Sequence, residues 1–386
     1  MTVYPLDAGS LLSTAEAETG LAGWNDSTFS DRFAIAVDRI RAAGMDAEGE
    51  RVAAVNCLRI LTDRLRFFRD HERHDVGAEV VDRPMIVTGE PRSGTTLLHA
   101  LLSVDPASRA LRFWQVMFPS PPPGLAYADD ARRAAADDEW RQINARLPEW
   151  LICHPYNDML GDGLPECERT WAMDFRALSP TAWWRVPMSL GPGALPQDST
   201  TQYRIHKMML QAIQRGAAPR TWILKGFHAG RLAVLFDAYP DARLLYIHRD
   251  PVPVIASRVQ MTVMLYEGLT GKRDSGEHAQ QHLAASRAGF HAAMTNPFMN
   301  DPRVHHVRYE DFTRDLVGTI QSFYTFADRT LTEEASDAMH HFLATNRGDR
   351  YGKFAYSIDA IGDVEELNEE FRPYRERFGV ALELRR

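Results

Sequence analysis

The stretch GEPRSGTTLLHALL, residues 89–102, follows a short apolar run, Met85-Ile86-Val87-Thr88. Beyond the loop, Leu97, Leu98, Leu101 and Leu102 recur at helical spacing. The local order is therefore strand, tight loop, helix. Gly89 and Gly94 permit backbone angles closed to other residues, and Pro91 fixes one torsion between them. A loop of this kind at a helix N-terminus aims several N–H groups at one point and makes an anion site. Arg92, Ser93, Thr95 and Thr96 add a charge and three hydroxyls. The plain alternative is an ordinary βα turn with Ser93 as a helix cap. The two glycines have the separation of a Walker loop, but Thr95 stands where its lysine belongs. Nucleoside triphosphate hydrolysis of the usual kind loses support, and the dinucleotide pattern GxGxxG is absent.

The chain has 386 residues, enough for one large core or two modest ones, and one main α/β domain with helical additions is expected. A formal net charge of −8 argues against a general nucleic-acid binder. Cys57, Cys153 and Cys167 lack metal-finger spacing, so neither a metal site nor a disulfide framework is expected. The N-terminus has no basic region followed by an apolar core, and no apolar run approaches the ~18 residues of a membrane span. The reading is a cytoplasmic protein; a homo-oligomer stays open.

Residues 1–80 read as a helical N-terminal extension. Phe33, Ala36, Val37 and Ile40 share one face, and Val55, Leu58, Leu61, Leu65 and Phe68 another. Residues 81–386 read as an α/β domain. Leu111 to Trp114 suggest a second short strand, PSPPPG at 119–124 stops regular structure, and 128–147 reads as a helix. Residues 148–200, within an insertion at about 119–200, are irregular and aromatic and read as a substrate-covering lid or an extra packing layer. A helix is expected over 201–214. Strands at 221–224, 243–247 and 304–307 then alternate with helices at 230–238, 251–266, 279–295 and 316–326, with a polar link over 268–278. Such alternation implies a mostly parallel sheet with helices on both faces and a ligand beyond the C-terminal strand ends.

Four strand exits carry Arg92, Lys225, Arg249 and Arg308. Cations at several exits along one edge suit a polyanion. The alternative is that Arg249 pairs with Asp250 or Glu310 and binds nothing.

These features together resemble the PAPS-dependent sulfotransferases, PAPS being 3′-phosphoadenosine 5′-phosphosulfate, and within them the bacterial branch with a PRSGTT-type loop. The resemblance rests on IVTGEPRSGTTLLHALL (86–102), TWILKGFHAGRLAVLFDAYPDARLLYIHRDPVPVIASRV (221–259), RGDRYGKFAYSIDAIG (347–362) and, more weakly, LPECERTWAMDF (164–175). It spans most of residues 85–380 and leaves 1–80 outside. It implies a P-loop-like three-layer fold with a mostly parallel central sheet. By the same resemblance Arg92, Ser93, Gly94, Thr95 and Thr96 hold the 5′-phosphosulfate, and Arg249 and Ser257 the 3′-phosphate. Arg347, Arg350, Tyr351, Gly352 and Lys353 close over the nucleotide, unless they form an ordinary surface loop.

The implied reaction is in-line sulfuryl transfer from PAPS to a hydroxyl, less readily an amine, leaving PAP and needing no metal. Positioning and charge stabilisation carry such a transfer. Lys225 and the loop stabilise the developing charge. A base takes the acceptor proton. Glu166 is the first candidate, because the family places a carboxylate in such a segment; Glu168, His228 and His154 are rivals. Trp150, Tyr156, Phe175, Trp183 and Trp184 are candidate acceptor-binding residues. They suit a small phenol, a sterol-like or lipid alcohol, or a carbohydrate. Glu90 is a departure: beside two phosphate sites it repels the donor unless it turns away, pairs with Arg92 or touches the acceptor. Two other readings are a nucleotide-binding interaction protein without transferase activity and an atypical nucleotide-dependent kinase.

Overall fold

The computed structural model describes residues 4–42, 45–123, 130–175, 198–271 and 273–383. Its centre is a sheet of β1 (Met85–Gly89), β2 (Ser108–Ala110), β3 (Thr221–Gly226), β4 (Arg243–His248) and β5 (Val304–Arg308). The spatial order is β2-β3-β1-β4-β5, and every pairing is parallel. β1 is the middle strand, and the order reverses on either side of it, which is where a ligand crevice opens in such sheets. The register sets Thr88 beside Gly226 and Gly89 beside Ile247, so three strand exits finish nearly level.

Side chains alternate across the strands and supply two cores. Ile86, Leu224, Leu244 and Tyr246 join one, with Phe33, Leu61, Tyr203 and Ile255. Met85, Val87, Ile223, Leu245 and Ile247 join the other, with Leu98, Leu101, Phe323 and Phe342. The result is a three-layer α/β fold. On the first face lie α1 (Ala8–Thr19), α2 (Phe29–Ala42) and α3 (Ala47–His74), so the amino-terminal segment is helical as expected. Asp7 and Asp46 cap α1 and α3, accepting from the Ser10 and Gly49 N–H groups at 2.8 and 2.7 Å. On the second face lies α4 (Thr95–Ser103), which continues the glycine loop.

Three sequence expectations are corrected. The second strand is at 108–110, not 111–114, because Thr221 of β3 pairs with Ser108. Phe113–Met117 is instead a short helix, whose start is fixed by the Gln115 side chain accepting from the Arg112 N–H at 3.0 Å. Val55 is 42% exposed, and the buried stripe of α3 runs through Ala54, Leu58, Leu61, Leu65 and Phe68. The link at 268–278 is shorter than the polar composition suggests, since helices Pro251–Thr270 and Gly276–Thr295 extend into it. Among the described residues no helix is long and apolar enough to cross a membrane.

The amino-terminal helices also hold the segment that carries Glu166 and Glu168. Asp174 is fully buried between Arg32 of α2 and Arg64 of α3, at 3.0 and 3.3 Å. Arg32 Nε also donates to the Asp174 carbonyl at 2.8 Å, and Arg64 Nη1 to the Met173 carbonyl at 3.0 Å. Breaking a buried pair by removing one partner costs about 3–5 kcal/mol, because the other charge is left desolvated. Asp174→Ala, which leaves the buried Arg64 without its carboxylate, should therefore lower the unfolding free energy by that amount in urea denaturation. A loss under ~1 kcal/mol would mean that Arg64 does not depend on Asp174 for its charge.

Candidate functional site

The loop between β1 and α4 is built on backbone that few residues adopt. Gly89 has φ +149° and Gly94 φ +91°; Arg92, a non-glycine, has φ +78°. A β-carbon at Gly89 would lie 2.7 Å from the Ile247 carbonyl oxygen, and one at Gly94 would lie 3.0 Å from the Tyr309 ring. Ser93 Oγ donates to the Glu90 carbonyl at 2.6 Å. The Ser93 hydroxyl thus closes the loop, and Gly94 stands at the helix N-cap. The first N–H groups of α4 have no partner within the helix. Gly94, Thr95 and Thr96 border a cavity of about 680 Å³ that reaches Lys225, Glu166 and Arg249.

Strained backbone persists only where the surroundings over-determine it, at a cost of about 1–3 kcal/mol. Arg92 is held accordingly. Its Nε donates to Ser257 Oγ at 3.1 Å and its Nη1 to the Cys153 carbonyl at 3.0 Å. Its own carbonyl accepts from Arg249 Nη1 at 2.9 Å. The structure therefore brings Arg92, Arg249 and Ser257 together. Arg249 also packs on the Tyr309 ring, 4.2 Å from its centroid. It pairs with neither Asp250 nor Glu310; its Nε and Nη2 meet the Glu383 carboxylate at 2.7 and 2.9 Å. Arg308 is the cation taken up locally, by Glu310 and Asp311 at 3.3 and 2.6 Å, and it does not border the 680 Å³ cavity.

A second cavity, of about 1100 Å³, is bordered by Arg249, Tyr309, Phe354, Tyr356 and Glu383. Phe354 and Tyr356 are not among the sequence candidates; the aromatic alternation in KFAY is the signal for them. Arg350 and Tyr351 dock on Asp158, Arg350 through two hydrogen bonds of 2.8 and 2.9 Å and Tyr351 through one of 2.9 Å. Gly352, with φ +102°, and Lys353 are exposed beside them. Of the tail named from sequence, Arg347 borders the first cavity.

The acidic end is tightly coupled. Lys225 Nζ lies 2.7 Å from Glu166 Oε1 and 3.4 Å from Thr96 Oγ1. Burial raises the Glu166 carboxyl, but the Lys225 ammonium, Arg169 and the Lys225 hydrogen bond outweigh it and hold the group well below the usual range. Glu168 accepts from the Phe227 N–H at 2.7 Å and from Arg231 at 3.4 Å. Burial pushes its carboxyl up, with Arg231 and the Phe227 N–H opposing. Two adjacent carboxylates are thus driven in opposite directions. His154 faces the cavity with its imidazole pushed down to about 3 by burial and then by Arg92. His228 does not border the cavity. It is buried against Tyr203, Nδ1 to hydroxyl 2.6 Å, and its N–H donates to Thr88 Oγ1 at 3.2 Å.

Trp150 and Tyr156 border the cavity, as do Phe227, Met261 and Leu265. Phe175 does not: it is fully buried against Phe33 and Phe29, with ring centroids 4.7 and 6.1 Å apart. Trp183 and Trp184 lie outside the described residues. Glu90 turns away from the loop into a niche between Gly289 and Arg258, 3.7 Å from the guanidinium. Burial pushes its carboxyl up to about 7, with Arg258 opposing.

The profile of the Sulfotransferase family matches residues 84–333. The Omega-hydroxy-beta-dihydromenaquinone-9 sulfotransferase Stf3, of Mycobacterium bovis and of Mycobacterium tuberculosis, is 22% identical over 297 residues, covering 74% of this chain and 73% of the relative. Sulfotransferase STF9 from Mycobacterium avium superposes with a TM-score of 0.83 at 29% identity, over 98% of both chains. Sulfotransferase STF1 from Mycobacterium tuberculosis H37Rv gives 0.70 at 24% identity, over 94% of this chain and 98% of that one, a likeness of fold alone.

The buried imidazoles make a prediction about acid. Burial pushes His99 and His154 each down to about 3, against about 6.5 in the unfolded chain. A folded value below the unfolded one contributes stability that is complete above pH ~6.5 and is lost as the pH falls from there toward ~3. Urea denaturation between pH 6.5 and 4 should show that decline. His154→Gln should remove up to ~1.4 kcal/mol per pH unit of it. An unchanged slope would mean that His154 already carries its proton in the folded protein.

Proposed function

The chain belongs to the sulfotransferase family, and from that premise we propose that it transfers a sulfuryl group from PAPS to the hydroxyl of an apolar acceptor. The supporting observation is the set of groups around the two cavities. The start of α4, with Lys225, offers donors to one anionic group, and Arg249 to another, with the buried Ser257 behind it on Arg92. Tyr309, Phe354 and Tyr356 supply aromatic surface beside Arg249. Two anion positions with aromatic faces beside one of them fit a nucleotide carrying a 5′-phosphosulfate and a 3′-phosphate. On this reading Gly94, Thr95 and Thr96 hold the 5′ end, Arg92 braces the loop, and Arg249 and Ser257 hold the 3′ end. Arg350 and Tyr351 act indirectly: docked on Asp158, they anchor the Phe354–Tyr356 strip, to which Gly352 and Lys353 connect them.

The acceptor oxygen attacks sulfur, the bond from sulfur to the 5′-phosphate oxygen breaks, and PAP leaves. The hydroxyl proton goes to Glu166. The Lys225–Glu166 pair links the two halves of that step: as Lys225 turns to the sulfuryl oxygens, Glu166 loses the charge that most depresses its carboxyl, and its burial then makes it a stronger base. Glu168 fixes the Phe227 turn, and His154 is the rival base. The walls from Trp150, Tyr156, Phe227, Met261 and Leu265 favour an apolar alcohol over a carbohydrate. The mycobacterial relative, by its name, acts on an omega-hydroxylated dihydromenaquinone, which supports the same class here. We assign residues 81–386 to the catalytic domain, 1–80 to a helical extension that braces it, and the insertion at about 119–200 to the acceptor wall.

Calorimetry tests the donor. PAP should bind at micromolar concentration, more tightly than ATP–Mg²⁺ or adenosine 5′-phosphosulfate, and Arg249→Ala should abolish the preference. With PAPS and a long-chain primary alcohol, Glu166→Gln should lower kcat by about 10²–10⁴ and Lys225→Ala by about 10²–10³, with PAP affinity kept in Glu166→Gln. Preferred ATP–Mg²⁺ binding would favour a kinase, and PAP binding without product from any alcohol a nucleotide-binding interaction protein. Activity kept in Glu166→Gln and lost in His154→Gln would move the base to His154.

A further inference from the structure

We propose that Glu383 sets the affinity of the donor site, its carboxylate holding Arg249 until a nucleotide 3′-phosphate displaces it. The proposal rests on the assignment of Arg249 to that phosphate.

A guanidinium grips an oxyanion best along one edge, with two parallel N–H bonds. In this structure that edge of Arg249, Nε and Nη2, is given to the two oxygens of Glu383 at 2.7 and 2.9 Å. Nη1 is committed to the Arg92 carbonyl at 2.9 Å. A phosphate therefore reaches the bidentate edge only by replacing the carboxylate. The two anions do not share the site, since like charges at contact distance repel.

The tail is held lightly enough to leave. The Glu383 N–H donates to Asp250 Oδ2 at 2.8 Å, and the Val380 N–H to the Arg375 carbonyl at 3.0 Å. Asp250 is independently anchored by Arg375 at 3.2 Å, so it stays in place when the tail moves. The Glu383 side chain is 36% exposed, and water takes up its charge on release. Residues 380–383 form one wall of the same cavity that Arg249, Tyr309, Phe354 and Tyr356 border. Displacing Glu383 thus frees the cation at the edge of that cavity. An exchange of this kind reduces the apparent affinity by the fraction of molecules with Arg249 free. The opposite role, a prop that holds Arg249 ready for the nucleotide, predicts the opposite sign.

The test is calorimetric, on the full chain, with PAP and with adenosine 5′-monophosphate, which lacks the 3′-phosphate. Glu383→Gln keeps the size of the side chain and removes its charge. It should bind PAP about threefold to tenfold more tightly than the unsubstituted protein and adenosine 5′-monophosphate with unchanged affinity. In an Arg249→Ala background the same substitution should change PAP affinity by less than about twofold, because the competition has lost its object. Weaker or unchanged PAP binding in Glu383→Gln would overturn the proposal while leaving the donor assignment intact. Tightening that persists in the Arg249→Ala background would also overturn it, since the effect would then not run through Arg249. Absence of PAP binding in all four proteins would remove the donor assignment, and the proposal with it.

Discussion

The constraint on which the site depends lies where β1 ends. Any side chain at residue 89 would collide with the Ile247 carbonyl of β4 and with the Ser93 hydroxyl. That crowding lets the chain fold back over the sheet edge, so that α4 starts directly above the level ends of β1, β3 and β4. The N–H groups of α4, Lys225 at the end of β3 and Arg249 just past β4 then surround one space. Had β1 been an edge strand, only one of the two cationic exits could have adjoined the loop. The central place of β1 and the absent β-carbon at 89 together determine that the site has two cationic ends.

The acid segment is held from two sides that share no residues. From the sheet, Lys225 and the Phe227 N–H take Glu166 and Glu168. From the amino-terminal layer, Arg32 and Arg64 take Asp174. The helices of residues 8–74 never border the 680 Å³ cavity, yet the position of its carboxylates depends on them. Buried charge at Asp174 is an expensive anchor compared with an apolar contact, but it has a defined direction. It fixes the rotation of the segment and not only its depth.

Much of this arrangement is legible in the sequence. The apolar runs at 85–88, 221–224 and 243–247 are strands because they are short, buried and bounded by turn residues, and 304–307 is a half-buried strand at the sheet edge. The glycine loop is legible because its chemistry is local. What the sequence hides is decided by partners far along the chain. Phe175 and Trp150 belong to one aromatic segment, but Phe29 and Phe33 draw the first into the core while the second borders the cavity. His228 stands three residues after Lys225, yet the Gly226-Phe227 turn sends it back to Thr88 and Tyr203. β2 shows no apolar run at all; its three residues are a strand only because β3 pairs with them. Glu90 reads as a repulsive neighbour of the donor until Gly289, far along the chain in the helix Gly276–Thr295, is seen to make room for it.

The Asp174 anchor has a consequence for how the protein is made. Its two arginines stand 142 and 110 residues earlier in the chain, and the Lys225 that takes Glu166 stands 59 residues later. Contacts this distant in sequence form against loop-closure entropy, after local helices and after the elements that bring their ends together. The acid segment must wait for both the amino-terminal layer and the sheet. A nascent chain that has not yet released β3 from the ribosome has its arginine anchor but no lysine partner for Glu166. The glycine loop by then has its helix but lacks both flanking strands. The groups around the cavity therefore come together only after β3 and β4 have both emerged.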